Sequence, residues 1–139
     1  MNTKLLFVIT QGELGGAQRY VFDLATRLSA NYDTAIVVGS HAEPLVTKLE
    51  NAGLKVIIAN HLVRNIHPAS DLLAIFELKK LFLQIHPDVI HLNSSKAGFL
   101  GSIAARLAGI QNVIFTAHGF AFLEPHSWFV KKFYFWAEK

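Results

Sequence analysis

Residues 4–28 read KLLFVITQGELGGAQRYVFDLATRL, and the fold follows from this stretch. Its first part is an apolar run from Leu5 to Ile9, which is long enough for one buried strand. A loop with three glycines comes next, and the apolar residues from Ala17 to Leu28 then recur at helical spacing. The pattern predicts a strand, a glycine loop and a helix, the order in which a parallel α/β unit begins.

The glycine loop is a candidate anion site. Gly15 and Gly16 lie where the predicted helix starts, and the backbone N–H groups at a helix N-terminus bind anions. A backbone without Cβ atoms can turn sharply and can approach a ligand closely. We therefore predict that Gly15 and Gly16 lie near a phosphate group, with a simple tight turn as the alternative.

The rest of the chain alternates between apolar runs and segments with helical periodicity. Further strands are predicted at residues 34–38, 54–59, 89–92 and 112–116. Further helices are predicted at residues 43–52, at 69–85, after an N-cap in Asn93–Ser95 and ending at Leu107, and from Ser127 onward. One side of the helix at 69–85 carries Leu72, Ile75, Phe76, Lys79 and Leu83. This alternation predicts an α/β fold, a Rossmann-like doubly wound parallel sheet between two helix layers, as a single domain over residues 1–139.

The composition excludes several classes of function. The chain has no cysteine, so disulfides, thiolate chemistry and cysteine zinc sites are excluded. A net charge of +3 suits anionic ligands but does not indicate nucleic acid. No apolar run approaches the ~20 residues that span a bilayer, and the N-terminal run is too short for a signal peptide. We therefore expect a cytoplasmic protein.

The apolar content is high for a protein of this size. Hydrophobic residues make up 52% of the 139 positions and charged residues only 17%. Either a second domain, a partner or a membrane covers part of the apolar surface, or the sheet is simply apolar on both faces. The sequence also ends inside an aromatic-rich segment without a helix cap, which indicates a fragment of a longer chain.

Three features fall at the predicted carboxyl ends of strands, where ligands bind in such sheets. They are Gly15–Gly16 after the first strand, Asn93–Lys96 after the fourth and His118–Gly119 after the fifth. Motifs for other α/β functions do not match. The loop does not fit G-x-G-x-x-G, Gly39 stands where a ribose-binding acid would be expected, and G-x-S-x-G and H-E-x-x-H are absent. We therefore predict no metal site.

Four segments resemble the N-terminal domain of family 4 retaining glycosyltransferases, which have the GT-B fold. They are FVITQGELGGAQRYVFDLATRL, RNIHPASDLLAIFELKKLF, PDVIHLNSSKAGFLGSIAARLAG and VIFTAHGFAF, at residues 7–28, 64–82, 87–109 and 113–122. The resemblance covers nearly the whole chain, and within the family these segments are typical of enzymes that build bacterial surface polysaccharides on lipid carriers. It implies the N-terminal, acceptor-side half of a two-domain enzyme whose C-terminal domain binds the donor.

The resemblance also implies an activity. Such an enzyme transfers a hexose or N-acetylhexosamine from a nucleotide sugar, typically a UDP-sugar, to a lipid-linked or glycan acceptor. It does so with retention and needs no cofactor or metal. Gly15 and Gly16 match the loop that approaches the donor diphosphate, and His118 matches the active-site histidine. Because the donor-binding domain is absent from this chain, we expect no useful transferase activity from these residues alone.

Four residues are predicted on the acceptor side, namely Arg64, Asn93, Ser94 and Lys96. Arg64 matches a recurring arginine of the family, whereas Lys96 in the first turn of a helix is more commonly solvated. Many relatives have a histidine where this chain has Asn93, so a titratable group is replaced by an amide.

The aromatic segment at residues 128–136 lies beside Lys131 and Lys132 and indicates peripheral contact with the inner face of the membrane. Packing on the sheet or on the C-terminal domain is the alternative. Two other functions stay open at this point. One is a truncated, non-catalytic binding domain, and the other is half of a sugar-nucleotide epimerase with the same GT-B architecture.

Overall fold

The structure is a computed structural model and describes residues 2–11, 15–40 and 43–118. Strands and helices alternate through these residues. The elements are β1 (Lys4–Ile9), α1 (Gly16–Leu28), β2 (Asp33–Gly39), α2 (Leu45–Asn51), β3 (Lys55–Ala59), α3 (Pro68–Ile85), β4 (Val89–Leu92), α4 (Ser95–Leu107) and β5 (Val113–Phe115). The predicted elements agree with these apart from shifts of one or two residues at their ends. The helix predicted from Ser127 lies outside the described residues.

The described strands form one parallel sheet in the order β3-β2-β1-β4-β5. In register, Phe7 of β1 pairs with Ile36 of β2 on one side and with His91 of β4 on the other. The first three strands therefore extend the sheet in one direction, and β4 and β5 extend it in the other. The gap between β1 and β4 is the switch point of a doubly wound sheet, where ligands bind beyond the strand ends. The predicted α/β fold is confirmed.

Alternate residues of each strand enter different cores, because successive side chains of a strand point to opposite faces. Leu6 and Val8 pack in one core with α3 and α4. Phe7 and Ile9 pack in the other with α1 and α2. The sheet therefore lies between two helix layers, as the sequence predicts.

Two glycines let α4 lie close to the sheet. A Cβ on Gly98 would be 2.7 Å from the Phe115 ring, and a Cβ on Gly101 would be 2.5 Å from Leu92. Both distances are too short for carbon atoms in contact. The small residues of α4 therefore allow its backbone to lie close to the sheet.

The long helix α3 buries a different side from the one that the sequence pattern singles out. Ala74, Leu78 and Phe82 are fully buried against the sheet. On the other side, Leu72 and Phe76 are each 56% exposed. Apolar residues thus occur on both sides of α3, and periodicity alone does not say which side meets the core. No helix among the described residues is long and apolar enough to cross a membrane.

Candidate active site

The ends of β1 and β4 are joined side chain to side chain at the switch point. Thr10 follows β1, and its Oγ1 lies 2.6 Å from Oγ of Ser94, which follows β4. Ser94 Oγ also accepts a hydrogen bond from the Ala97 N–H at 3.0 Å, so Ser94 is the N-cap of α4, within the predicted Asn93–Ser95. One hydroxyl pair therefore fixes the start of α4 against the end of the central strand.

The two predicted phosphate-binding glycines lie at the start of α1. Gly15 is the N-cap, with extended backbone angles that other residues adopt, and Gly16 is the first residue of the helix. Among the described residues, no side chain caps this helix start, and no acidic residue lies in the first turn. A Cβ on Gly16 would meet none of the described atoms within 4 Å, whereas a Cβ on Gly15 would lie 3.0 Å from Oε1 of Gln18. Residues 12–14 of the loop lie outside the described residues.

A histidine on β4 lies at the bottom of the site. His91 Nε2 lies 2.7 Å from Oγ1 of Thr116, just beyond β5. Its ring packs 5.2 Å from that of Phe7 and meets Tyr20 of α1 edge to face at 6.0 Å, both measured between centroids. These contacts fix the imidazole from three elements of the fold.

The predicted catalytic histidine, His118, lies next to the residues that surround His91. His118 Nε2 is 3.3 Å from Oδ1 of Asn93, and its ring meets Tyr20 at 4.8 Å between centroids. Asn93 is 0% exposed, and its Nδ2 donates to the His91 carbonyl oxygen at 2.8 Å. Tyr20 is four residues, or about one turn, after Gly16. The structure thus brings the first turn of α1, the end of β4 and His118 to one edge of the sheet.

The surroundings favour the neutral form of both imidazoles. Burial lowers the pKa of His91 below its ordinary value of 6.5, and the positive charge that His118 can carry lowers that pKa further. Burial also lowers the pKa of His118. A neutral imidazole has one nitrogen that donates and one that accepts, so it can orient a hydroxyl group and share its proton.

Lys96 does not extend into solvent. Its side chain is 8% exposed, and its ammonium lies 2.6 Å from the Asp71 carboxylate of α3. The same ammonium donates to the carbonyl oxygen of Asn65 in the loop before α3, next to the exposed Arg64. Lys96 therefore connects two helices and this loop. Its contact with an acceptor, like that of Arg64, Ser94 and the buried Asn93, stays a prediction.

Gly39 has a role at this edge that the sequence pattern does not predict. A Cβ at this position would be 2.1 Å from the Thr10 carbonyl oxygen and 2.2 Å from that of Leu62. The backbones after β1, β2 and β3 therefore meet closely at Gly39, and the Ser40 N–H donates to Leu62 at 3.1 Å. The glycine was visible in the sequence but was interpreted only as the lack of a ribose-binding acid.

Tyr20 and Asp71 were not predicted to shape the site. Tyr20 belongs to the apolar side of α1, so its pattern indicated burial in the core rather than contact with two histidines. Asp71 lies in the first turn of α3, where a negative charge suits the helix dipole, and nothing in the sequence pattern indicates its pair with Lys96. Among the residues described, no group of three or more histidines and carboxylates is arranged to hold a metal ion.

Comparison with known proteins gives a clear family relationship. The profile of the family described as Glycosyltransferase Family 4 matches residues 14–139. The chain is 34% identical over 125 residues to the Escherichia coli UDP-Gal:alpha-D-GlcNAc-diphosphoundecaprenol alpha-1,3-galactosyltransferase. That match covers 90% of this chain and 32% of the relative, so the chain spans about a third of that enzyme.

Solved structures share the fold at lower identity. Anabaena HepE in complex with UDP and glucose superposes with a TM-score of 0.68 and 20% identity, over 85% of this chain and 30% of HepE. A Listeria monocytogenes protein described as a UDP-N-acetylglucosamine 2-epimerase gives 0.68 at 13% identity, over 99% of this chain and 37% of that one. These similarities establish the fold, which transferases and epimerases share. With the profile match over residues 14–139 and the galactosyltransferase relative, the chain belongs to glycosyltransferase family 4.

Proposed function

We propose that this chain is the acceptor-side, N-terminal half of a retaining glycosyltransferase. The complete enzyme transfers a hexose or N-acetylhexosamine from a UDP-sugar to a lipid-linked or glycan acceptor in the synthesis of a surface polysaccharide. The relative with 34% identity is named for a UDP-Gal donor and a diphosphoundecaprenol-linked acceptor, and HepE was solved with UDP and glucose. A second, donor-binding domain completes the active site.

The observation that carries this proposal is the contact of Tyr20 with His118. Through it, the uncapped start of α1 and a neutral imidazole lie at the same switch point. The N–H groups at Gly15 and Gly16 suit the donor diphosphate, because a helix N-terminus favours negative charge. His118 suits a hydroxyl of the reacting sugar, which it orients through a hydrogen bond. Transfer takes place without a metal or cofactor, and the nucleotide sugar is a co-substrate.

The acceptor enters from the side of α4 and the loop before α3. Arg64 is exposed in that loop, which Lys96 holds by its bond to the Asn65 carbonyl. Ser94 follows Asn93 at the end of β4, and its hydroxyl contacts that of Thr10. In this arrangement Lys96 and Asn93 contribute by holding neighbouring groups, and Arg64 contacts the acceptor directly.

Turnover by the intact, two-domain enzyme tests the role of His118. We expect His118→Ala to lower kcat by about 100-fold or more, in the range for a lost acid–base group. His86→Asn is the matched control, because His86 ends α3 at the opposite edge of the sheet and asparagine tolerates its left-handed φ of 50°. Equal turnover for the two variants would remove His118 from the mechanism.

Binding of the donor by the 139-residue chain alone tests whether donor binding belongs to the second domain. We expect weak or undetectable binding of UDP-galactose in a calorimetric titration, and no transfer to an acceptor. Micromolar affinity would mean that the donor site lies in this chain. Interconversion of UDP-sugars by the intact protein, without an acceptor, would instead favour the epimerase function.

We also propose that the enzyme works at the cytoplasmic face of the membrane, where a lipid-linked acceptor is found. The predicted aromatic segment at 128–136 lies outside the described residues, but the outward side of α3 supports the same proposal. Leu72 and Phe76 are 56% exposed and Leu83 is 45% exposed, and Lys79 and Lys80 are interspersed with them. Apolar side chains mixed with lysines favour an anionic lipid surface.

The acidic residues of α3 face away from this surface. Asp71 pairs with Lys96, and Glu77 accepts the N–H groups of Asn60 and His61 at 2.9 Å each. The charge on the outward side is therefore carried by lysines.

Sedimentation of the protein with vesicles tests this surface. We expect binding to vesicles that contain phosphatidylglycerol and not to purely zwitterionic ones, with a loss of binding in Phe76→Ser. Leu107→Ser is the control, because Leu107 is 52% exposed on α4. Equal binding by both variants would exclude the α3 surface as the membrane contact.

A further inference from the structure

The side-chain amide of Asn93 can be oriented in only one way. The His91 carbonyl oxygen lies 2.8 Å from one of its terminal atoms, and a carbonyl oxygen only accepts. The atom facing His91 is therefore the nitrogen, which donates. The amide oxygen then faces His118 Nε2 at 3.3 Å.

This orientation has a consequence for the imidazole of His118. An amide oxygen only accepts, so a hydrogen bond to it requires a proton on His118 Nε2. In a neutral ring the other nitrogen, Nδ1, then carries the lone pair. The second nitrogen of a histidine is commonly set in this way by the partner of the first. His118 is exposed as a residue, and with Nε2 engaged by Asn93 its Nδ1 is the nitrogen left for a ligand.

Asn93 is well placed to impose this choice. It is 0% exposed, it directly follows β4, and the Asn93 N–H donates to the Val8 carbonyl of β1 at 2.9 Å. Its backbone is thus fixed in the sheet, and its side chain is fixed by the main chain of His91. Unlike a histidine at the same position, an asparagine does not titrate, so its oxygen accepts at every pH of interest.

We propose that Asn93 is a positioning residue that holds His118 as the Nε2–H tautomer and leaves Nδ1 to accept a hydrogen bond from the reacting sugar. The sugar contact rests on the proposed glycosyltransferase function, whereas the tautomer does not. Among the residues that the structure describes, the titratable side chains that face His118 are Tyr20 from α1 and His91 from β4. Neither of these two supplies a carboxylate, and the contact that Asn93 makes with His118 is a hydrogen bond between uncharged groups.

Nitrogen NMR of the intact enzyme, labelled with 15N-histidine, tests the tautomer without substrate. We expect the 15N chemical shifts of the two His118 nitrogens of the wild type to differ strongly at pH 8, because Nε2 is protonated and Nδ1 is not. The difference should shrink in Asn93→Leu, which has a similar volume but no acceptor. Thr116→Val is the matched control, because it removes a hydroxyl that contacts His91 and should leave the His118 signals in the same tautomer.

A second variant covers the case in which Asn93→Leu does not fold. Asn93→Asp keeps the shape and places a carboxylate beside the ring, so the pKa of His118 should rise by about 1–3 units. In the intact enzyme, the acidic limb of the pH profile of kcat should move upward in parallel, and Asn93→Leu should lower kcat by about tenfold or more with little change in KM.

The outcomes separate the two proposals. Two results would overturn the role of Asn93. One is a proton on Nδ1 of His118 in the wild type. The other is an unchanged His118 tautomer in Asn93→Leu together with an unchanged pKa of His118 in Asn93→Asp. The expected NMR result in a protein that transfers no sugar would leave the positioning role intact and would refute the proposed function alone.

Discussion

The ion pair between Lys96 and Asp71 gives a sharp test of what Lys96 does. The side chains of Lys96 and Asp71 are 8% and 15% exposed, and their charged atoms are 2.6 Å apart. Removing one partner of a buried pair costs about 3–5 kcal/mol, because the other charge is left without compensation. Since both side chains keep some exposure, we expect the lower end, about 3 kcal/mol, for Lys96→Met. For a chain of this size the loss corresponds to a fall in Tm of about 10 °C.

Urea unfolding followed by far-UV circular dichroism measures this loss as a lower midpoint at an unchanged m-value. Lys80→Met is the matched control, because Lys80 is exposed on α3 and its loss should change stability by less than about 0.5 kcal/mol. The double variant Lys96→Met/Asp71→Asn should lose less than the sum of the two single variants, by about 1–3 kcal/mol. Additive losses, or a midpoint for Lys96→Met equal to that of the control, would refute a structural pair and leave Lys96 available to the acceptor.

Three further predictions concern the site. Because the folded state lowers the pKa of His91 and His118, the unfolded chain takes up protons first, so the free energy of unfolding should fall as the pH drops below about 6.5. His91→Asn should flatten that dependence in urea unfolding at several pH values, and an unchanged slope would contradict the assignment. Gly39→Ala should lower the free energy of unfolding by about 3 kcal/mol, since its Cβ would lie 2.1 Å from a backbone oxygen. Gly16→Ala is the control, because its Cβ has free space and the variant should unfold near the wild-type midpoint. Similar midpoints for the two variants would disprove the close approach at Gly39. Ser94→Ala should cost about 1 kcal/mol by thermal unfolding, because α4 loses its N-cap, and no change in Tm would argue against the cap.

Local patterns predicted most of the fold correctly. Each strand is a short apolar run between polar or glycine residues, and such a signal needs no knowledge of distant residues. The N-cap of α4 was also predicted to lie within Asn93–Ser95, because it follows from residue types at neighbouring positions. The side of α3 that meets the core was not predictable, since apolar residues occur on both of its sides.

The candidate site was predicted only in part. Gly15, Gly16 and His118 were predicted from their positions after strands and from the resemblance to family 4, and their location at one sheet edge follows from parallel strands ending together. The sequence does not predict the contacts of Tyr20 and Thr10, because they join residues more than 70 positions apart. The partners of Lys96 also lie on other elements of the fold. No local pattern reports such a contact.

The amino-acid sequence by itself determined the order of strands and helices, the absence of cysteine chemistry and the relationship to family 4, because all three depend on residue types at short spacing. Only the tertiary structure decided that β1 lies beside β4, and this pairing places Tyr20 against His91 and His118. It also decided that Asn93 is buried and that Lys96 is paired. The physical reason is that burial and hydrogen-bond partners are properties of the packed chain, where residues far apart in sequence exclude water from one another.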